Sequence, residues 1–229
     1  SWGVLSGAAA RGRAERAMQS VIERLYLPDA GLIRLLDPPF DASDLEPGYI
    51  KGYPPGVREN GGHYSHAGVW AAMALVRLGD AKRAWEIARA LNPILHANTP
   101  EKAAVFRVEP YVMPADICTA HPHLGRGGWS WYTGSAGWMY RLAVEELLGL
   151  RLEAEKLRLE PFIPDEWNGF KVHYRFRETF YHVAFNRSDE PGEGIVRLTL
   201  DGRALEPPFL PLTDDRVDHQ VEVVLGKRP

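Results

Sequence analysis

Residues 53 to 66 read Tyr-Pro-Pro-Gly-Val-Arg-Glu-Asn-Gly-Gly-His-Tyr-Ser-His. Arg58, Glu59, Asn60, His63, Tyr64, Ser65 and His66 fall between a Pro-Pro-Gly turn and an apolar run. A cation, a carboxylate, an amide, two hydroxyls and two imidazoles just before a predicted helix make a candidate binding surface. A second such stretch covers 125 to 141, Gly-Arg-Gly-Gly-Trp-Ser-Trp-Tyr-Thr-Gly-Ser-Ala-Gly-Trp-Met-Tyr-Arg. Glycines, hydroxyls and aromatics again lead into a helix. The expectation is that the two stretches face one another across a pocket for sugar and phosphate.

Thr133-Gly134-Ser135 opens the later helix. Free backbone N–H groups and hydroxyls at a positive helix end suit an anion such as phosphate. The plainer alternative is an ordinary Thr or Ser N-cap. An anion there needs a donor opposite, which His66 or Arg58 could supply. His63 and His66, at i and i+3, could instead ligate a metal with help from His121, His123 or Asp116. No cysteine pair or His-Glu-x-x-His pattern supports this, so no metal is expected.

Glu59 and Glu109 are candidates for holding sugar hydroxyls or for acid–base work, which needs a carboxyl tuned by its surroundings. The alternative for each is a solvated surface charge. Trp129, Trp131, Tyr132, Trp138 and Tyr140 form a dense aromatic group. Trp129 and Trp131, in the glycine-rich stretch, suit stacking on the flat C–H faces of a sugar. Trp138 on the helix suits the core. Glu166-Trp167-Asn168-Gly169 is expected to be a turn.

These residues need a frame. Ala8 to Leu27 predicts a helix with an apolar face of Ala10, Ala14, Ala17, Met18, Val21, Ile22 and Leu25. Pro28 and Gly31 stop it. Residues 37 to 57 form a proline-rich loop with Phe40, Tyr49 and Tyr53 to pack it. A second helix runs from His63 or Ser65 to Leu78, with nearly all-round burial. Gly79-Asp80 turns it into a third, Ala81 to Leu91, giving an antiparallel hairpin. Residues 93 to 133 read as irregular, with a short helix near Glu101 to Phe106. A fourth helix starts near Thr133 or Gly134 and ends at Gly149. Beyond it, 157 to 161, 171 to 176, 179 to 185, 194 to 200 and 217 to 225 alternate with period two, predicting antiparallel strands. The fold expected is α+β, helical over 1–150 and a β-sandwich over 151–229.

Composition sets outer limits. The chain has 229 residues, 45% apolar, with a net charge of −3, enough for a sizeable core. No basic stretch interleaved with aromatics suggests nucleic acid, and no apolar run reaches membrane-spanning length. The single cysteine, Cys118, cannot form an intramolecular disulfide and favours a reducing compartment. The expected location is cytoplasmic. The chain starts Ser1-Trp2-Gly3 with its first methionine at Met18, read as a cut from a longer chain.

Three stretches carry a resemblance. Tyr53 to Gly62 followed by Tyr64-Ser-His66, then Glu109-Pro-Tyr-Val, then Gly127-Gly-Trp-Ser-Trp-Tyr-Thr-Gly-Ser-Ala-Gly-Trp-Met-Tyr140, resemble the glycoside phosphorylases of glycoside hydrolase family 94. The nearest likeness is to the phosphorylase-like region of cyclic β-1,2-glucan synthases. It covers essentially the whole chain, with the motifs in order. The resemblance implies an (α/α)6 barrel followed by a C-terminal β-sandwich. It implies an inverting reaction on a β-glucan or glucosyl oligosaccharide: inorganic phosphate, a co-substrate with no further cofactor, attacks the anomeric carbon while an acid protonates the leaving oxygen. His66, Thr133 and Gly134 match the phosphate set, and Arg58 and Glu59 match sugar contacts.

One departure matters. The family's general acid is an Asp in an Asp-Trp-Asn-Asp-type motif, which this sequence lacks. Glu166-Trp167-Asn168 lies in the wrong domain to replace it. The chain is therefore expected to be the C-terminal half of a barrel plus its sandwich, completed by an upstream half or an oligomeric partner. Alone it would lack a group commonly worth about 10²–10⁴-fold in rate. The alternatives are a silent carbohydrate-binding or assembly module and an inverting hydrolase using Glu59 or Glu109.

Overall fold

The computed structural model describes residues 1–227. The chain forms two compact units, Ser1–Leu142 and the remainder from Ala143.

In the first unit, α1 (Trp2–Leu5) precedes α2 (Arg11–Leu25), which buries Ala14 and Met18. The predicted helix from Ala8 thus begins later. It also ends earlier, because Tyr26–Leu27 (β1) turns back to pair antiparallel with Leu32–Ile33 (β2). Both β2 residues are buried. His63–Tyr64 (β3) leads directly into α3 (Ser65–Leu78). Gly68 lets α3 approach its neighbours: a Cβ there would meet Leu91 at 2.8 Å and Ile33 at 3.2 Å. Gly79 in the left-handed region ends α3, and the Asp80 side chain caps α4 (Ala81–Ala90) through the Arg83 N–H at 3.2 Å. Thr99 caps α5 (Pro100–Phe106). Asp116–Ile117 (β4) pairs with β3, and α6 (Thr133–Arg141) follows. The stretch expected to be irregular therefore contains a strand. Two-residue strands are too short to show a period.

The predicted fourth helix keeps α-helical hydrogen bonding only to Arg141. One π-helical stretch follows, Leu142–Leu147. Gly149 then adopts φ 71°, and a Cβ there would lie 2.1 Å from the Glu160 carbonyl.

The second unit contains β5 (Leu150–Glu153), β6 (Lys156–Leu159), β7 (Gly169–Phe176), β8 (Thr179–Pro191), β9 (Ile195–Leu200), β10 (Arg203–Leu205), β11 (Phe209–Pro211) and β12 (His219–Lys227). They form a three-stranded sheet, β11-β6-β5, and a five-stranded sheet, β10-β9-β12-β8-β7. Leu157, Leu159 and Leu210 from the first share one core with Tyr181, Val183, Phe185, Leu198, Val221 and Val223 from the second. That makes a sandwich, but not the wholly antiparallel one expected. β12 runs parallel to β8. Alternation specifies which side chains face the core and is silent on strand direction. The chain visits the other sheet through β11 before β12, so β12 is not bound by hairpin geometry to oppose β8. Asp165 and Glu166 lie in a turn, with Trp167 N–H donating to the Pro164 carbonyl.

Two histidines tie these units to pH in opposite senses. His63 is fully buried, and burial, with His96 nearby, lowers its pKa from 6.5 to about 3. His219 stands between Asp201 (2.7 Å) and Asp215 (3.1 Å), whose hydrogen bonds raise it. A depressed histidine contributes stability above 6.5 that is lost as pH falls toward 3, at up to about 1.4 kcal/mol per pH unit. A raised histidine contributes below 6.5 and loses its contribution as pH rises through the folded value. Thermal melts of His63→Gln should flatten the acid-side loss, and those of His219→Gln the loss above 6.5. Separately, Gly149→Ala should destabilise by more than about 1 kcal/mol in urea denaturation, because neither φ nor space admits a side chain.

Candidate functional site

A short seam of backbone builds the site. The segment 115–118 lies between two others. On one side, β3 pairs with β4, and Ser65 N–H donates to the Ala115 carbonyl at 3.0 Å. On the other, Ile117 bridges Gly127, and Gly128 N–H donates to the Asp116 carbonyl at 2.8 Å. The two stretches singled out in the sequence are thus joined through a third.

Asp116 occupies the middle of this seam and is buried. Its Oδ2 accepts the Arg58 N–H at 2.9 Å. Its other oxygen packs so tightly against Gly128 that a Cβ there would fall 2.2 Å from it. Burial pushes this carboxyl up, opposed by the Arg58 N–H and guanidinium. Arg58 itself has φ 49°. Gly62 permits the tight turn around it, since a Cβ would meet the Arg58 carbonyl oxygen at 2.7 Å. Asn60, fully buried, fastens the proline-rich loop: its side chain accepts from Phe40 N–H at 2.7 Å and donates to the carbonyls of Tyr53 and Phe40.

On this frame the Arg58 guanidinium lies over the Trp129 ring, 4.5 Å from its centre, and 5.4 Å from that of Tyr53. Such a stack contributes about 0.5–1 kcal/mol at an exposed site. Glu59 meets Arg58 Nε at 3.5 Å, and Tyr64 donates its hydroxyl to Glu59 at 3.3 Å. Burial, then the hydrogen bond to Tyr132, raises the Tyr64 phenol. Trp129 is 68% exposed and Trp131 63%. Both rings are therefore available as surface platforms. Trp131 donates its indole N–H to Glu109 at 3.4 Å and packs edge-on against Tyr111.

His66, in the first turn of α3, lies at the start of α6. A methyl on Gly134 would touch its Nδ1–Cε1 edge at 3.8 Å. Behind it, Trp70 and Trp138 pack edge-on to each other, and His66 lies 4.5 Å from Trp70. Trp138 is half-buried in this group. Burial lowers the His66 pKa, so the neutral ring is favoured. The plain N-cap alternative for Thr133 and Ser135 fails: the cap position is Tyr132, with no side-chain cap bond, and Ser135 donates back to the Tyr132 carbonyl at 2.9 Å. Thr133 and Gly134 are exposed in the first turn.

Two further sequence candidates make other contacts. His63 accepts the Ile33 N–H on Nδ1 at 2.9 Å and is buried, so it holds β2 rather than sharing a ligand with His66. Glu109 is half-buried, and hydrogen bonds led by the Ser130 hydroxyl hold its carboxyl below the usual range. No group of three or more His, Cys, Asp or Glu could hold a metal among the described residues. Asp116 was weighed in the sequence only as a metal ligand. The available signal was one carboxylate in the otherwise uncharged run Met113-Pro-Ala-Asp-Ile-Cys. Tyr64 and Tyr132 gave no separate signal.

Comparison with known proteins bears on this geometry. The chain is 45% identical over 196 residues to the cyclic beta-(1,2)-glucan synthase NdvB of Rhizobium meliloti, covering 86% of this chain and 7% of that protein. It is 33% identical over 225 residues to the N,N'-diacetylchitobiose phosphorylase of Vibrio proteolyticus, covering 97% of this chain and 27% of that protein. The chain thus spans well under a third of either relative. Among solved structures, a family GH92 α-mannosidase from Bacteroides thetaiotaomicron matches at 12% identity, covering 96% of this chain and 23% of that one, with a TM-score of 0.30. Residues 150–205 match the glycosyl hydrolase family 65 C-terminal domain. Residues 1–149, which include the Asp116 seam, the Arg58–Trp129 stack and the start of α6, match the glycosyl hydrolase 94 superfamily catalytic domain, and the chain belongs to that superfamily.

Proposed function

We propose that this chain is the C-terminal portion of an inverting β-glucan phosphorylase domain, supplying the phosphate pocket and part of the sugar site. In this reading 1–150 is half of an (α/α)6 barrel and 151–229 its β-sandwich. The upstream half of the barrel, or another copy of the chain, contributes the general acid. The observation that carries the reading is the approach of the His66 ring to Gly134 at a helix start with no side-chain cap.

The reaction assigns each group a task. Inorganic phosphate, the co-substrate, lies between the first-turn N–H groups of α6, the Thr133 hydroxyl and His66. The helix end stabilises its negative charge. A neutral imidazole donates one hydrogen bond without the tight ion pairing that would blunt a phosphate oxygen as nucleophile. Arg58 and Glu59 hold sugar hydroxyls, and Trp129 and Trp131 offer flat faces to sugar rings. Attack inverts the anomeric centre while the acid protonates the leaving oxygen. Phosphate is already an anion, so no second carboxylate is needed as base. The relatives' names support a glucan or related β-glycoside as the sugar partner.

The hydrolase alternative is weaker here. It needs a carboxyl held protonated beside the sugar, and Glu109 is shifted the other way. Glu59, the other candidate, lies 3.5 Å from Arg58 Nε and accepts the Tyr64 hydroxyl at 3.3 Å.

Calorimetry with inorganic phosphate tests the proposal. The intact chain should bind, and His66→Ala and Thr133→Val should each lose at least most of the affinity. Absence of binding, or variants that bind like the parent, would contradict it. Asp116→Ala should destabilise by about 1–3 kcal/mol in urea denaturation, from the orphaned Arg58 N–H. Asp116→Asn, which keeps an acceptor, should cost less.

A further inference from the structure

The face of the five-stranded sheet opposite the core carries a histidine pair. Val172 and Tyr174 of β7, and Tyr181 and Val183 of β8, pack inward, which leaves His173 and His182 on the other face. The two are direct cross-strand partners. Their Nδ1 atoms face each other 2.5 Å apart. His182 Nε2 lies 3.2 Å from Asp218 Oδ2. Asp218 accepts an N–H from Nε2, which in the neutral ring leaves the His182 Nδ1 lone pair aimed at His173.

We propose that His173 and His182 form a binding site for a late divalent transition metal ion, ligated through both Nδ1 atoms. Imidazole nitrogens select such ions over Mg²⁺ or Ca²⁺, which prefer oxygen. A carboxylate accepting the far N–H of a ligating histidine is the usual support for such a ligand. Water fills the remaining positions, since the pair supplies only two protein ligands. At Zn–N distances of about 2.0–2.1 Å, two ligating nitrogens lie roughly 3.3 Å apart, so the rings must part by a little under about 1 Å. His173 is exposed, and the His182 side chain retains 26% exposure, which leaves room for that movement. Binding displaces whatever proton lies between the rings. Lys171 and Arg175 flank His173 on the same face and oppose binding electrostatically. Arg175 is paired with Glu178 at 2.9 Å, which reduces its share.

This site is independent of the phosphorolysis reading. Titration of the full chain with Zn²⁺ by calorimetry tests it, with Mg²⁺ as the control. One saturable Zn²⁺ site is expected, with no response to Mg²⁺. His173→Ala and His182→Ala should each abolish it while circular dichroism stays unchanged. Asp218→Asn should weaken it about 10–100-fold, and His121→Ala should leave it intact. No Zn²⁺ binding, or binding that survives both histidine substitutions, would overturn the proposal.

Discussion

The carboxylate of Asp116 lies where three segments of the helical unit meet. It is buried, and burying a carboxylate is costly unless its oxygens are engaged. Here one oxygen takes the Arg58 N–H and the other rests against Gly128. The group thereby fixes two things at once: the left-handed turn that carries Arg58 and Glu59, and the position of the segment that carries Trp129. The Arg58–Trp129 stack follows from both. A larger residue at 128 would displace the carboxylate, and a residue other than glycine at 62 would displace the turn.

The proposed anion side rests on a different principle. There the polar groups are backbone N–H groups at a helix start, next to a histidine held by aromatic neighbours. Tyr132 occupies the cap position without capping. Trp70 and Trp138 restrict the His66 ring and exclude water from one of its edges. Desolvation, rather than a charged partner, lowers the pKa of the ring. In the proposed site, the sugar side is thus organised by a buried charge and the anion side by dipoles.

Much of this was legible in the sequence. The apolar period of Ser65 to Leu78, with Gly79-Asp80 after it, specified the central hairpin almost to the residue. The alternation after residue 150 marked the stretches that form β6, β7, β8, β9 and β12, while the short β5, β10 and β11 left no such mark. Three features were not legible, each for a physical reason. The β3–β4 pairing spans only two residues and joins segments about fifty positions apart, so no local period records it. The direction of β12 depends on the path through β11, which alternation does not encode. The roles of His63 and Asp116 depend on burial: an identical imidazole three residues from His66 becomes a fastener for β2 because Ile33 N–H reaches it.

The central claim is that His66 and the first turn of α6 close on one anion. NMR of the chain during titration with inorganic phosphate tests this most directly. The account predicts that the backbone amides of Thr133 and Gly134 and the imidazole of His66 shift together, with one common affinity, while His63 stays unmoved. Shifts confined to surface lysines and arginines, or a His66 that does not respond when the Gly134 amide does, would contradict it.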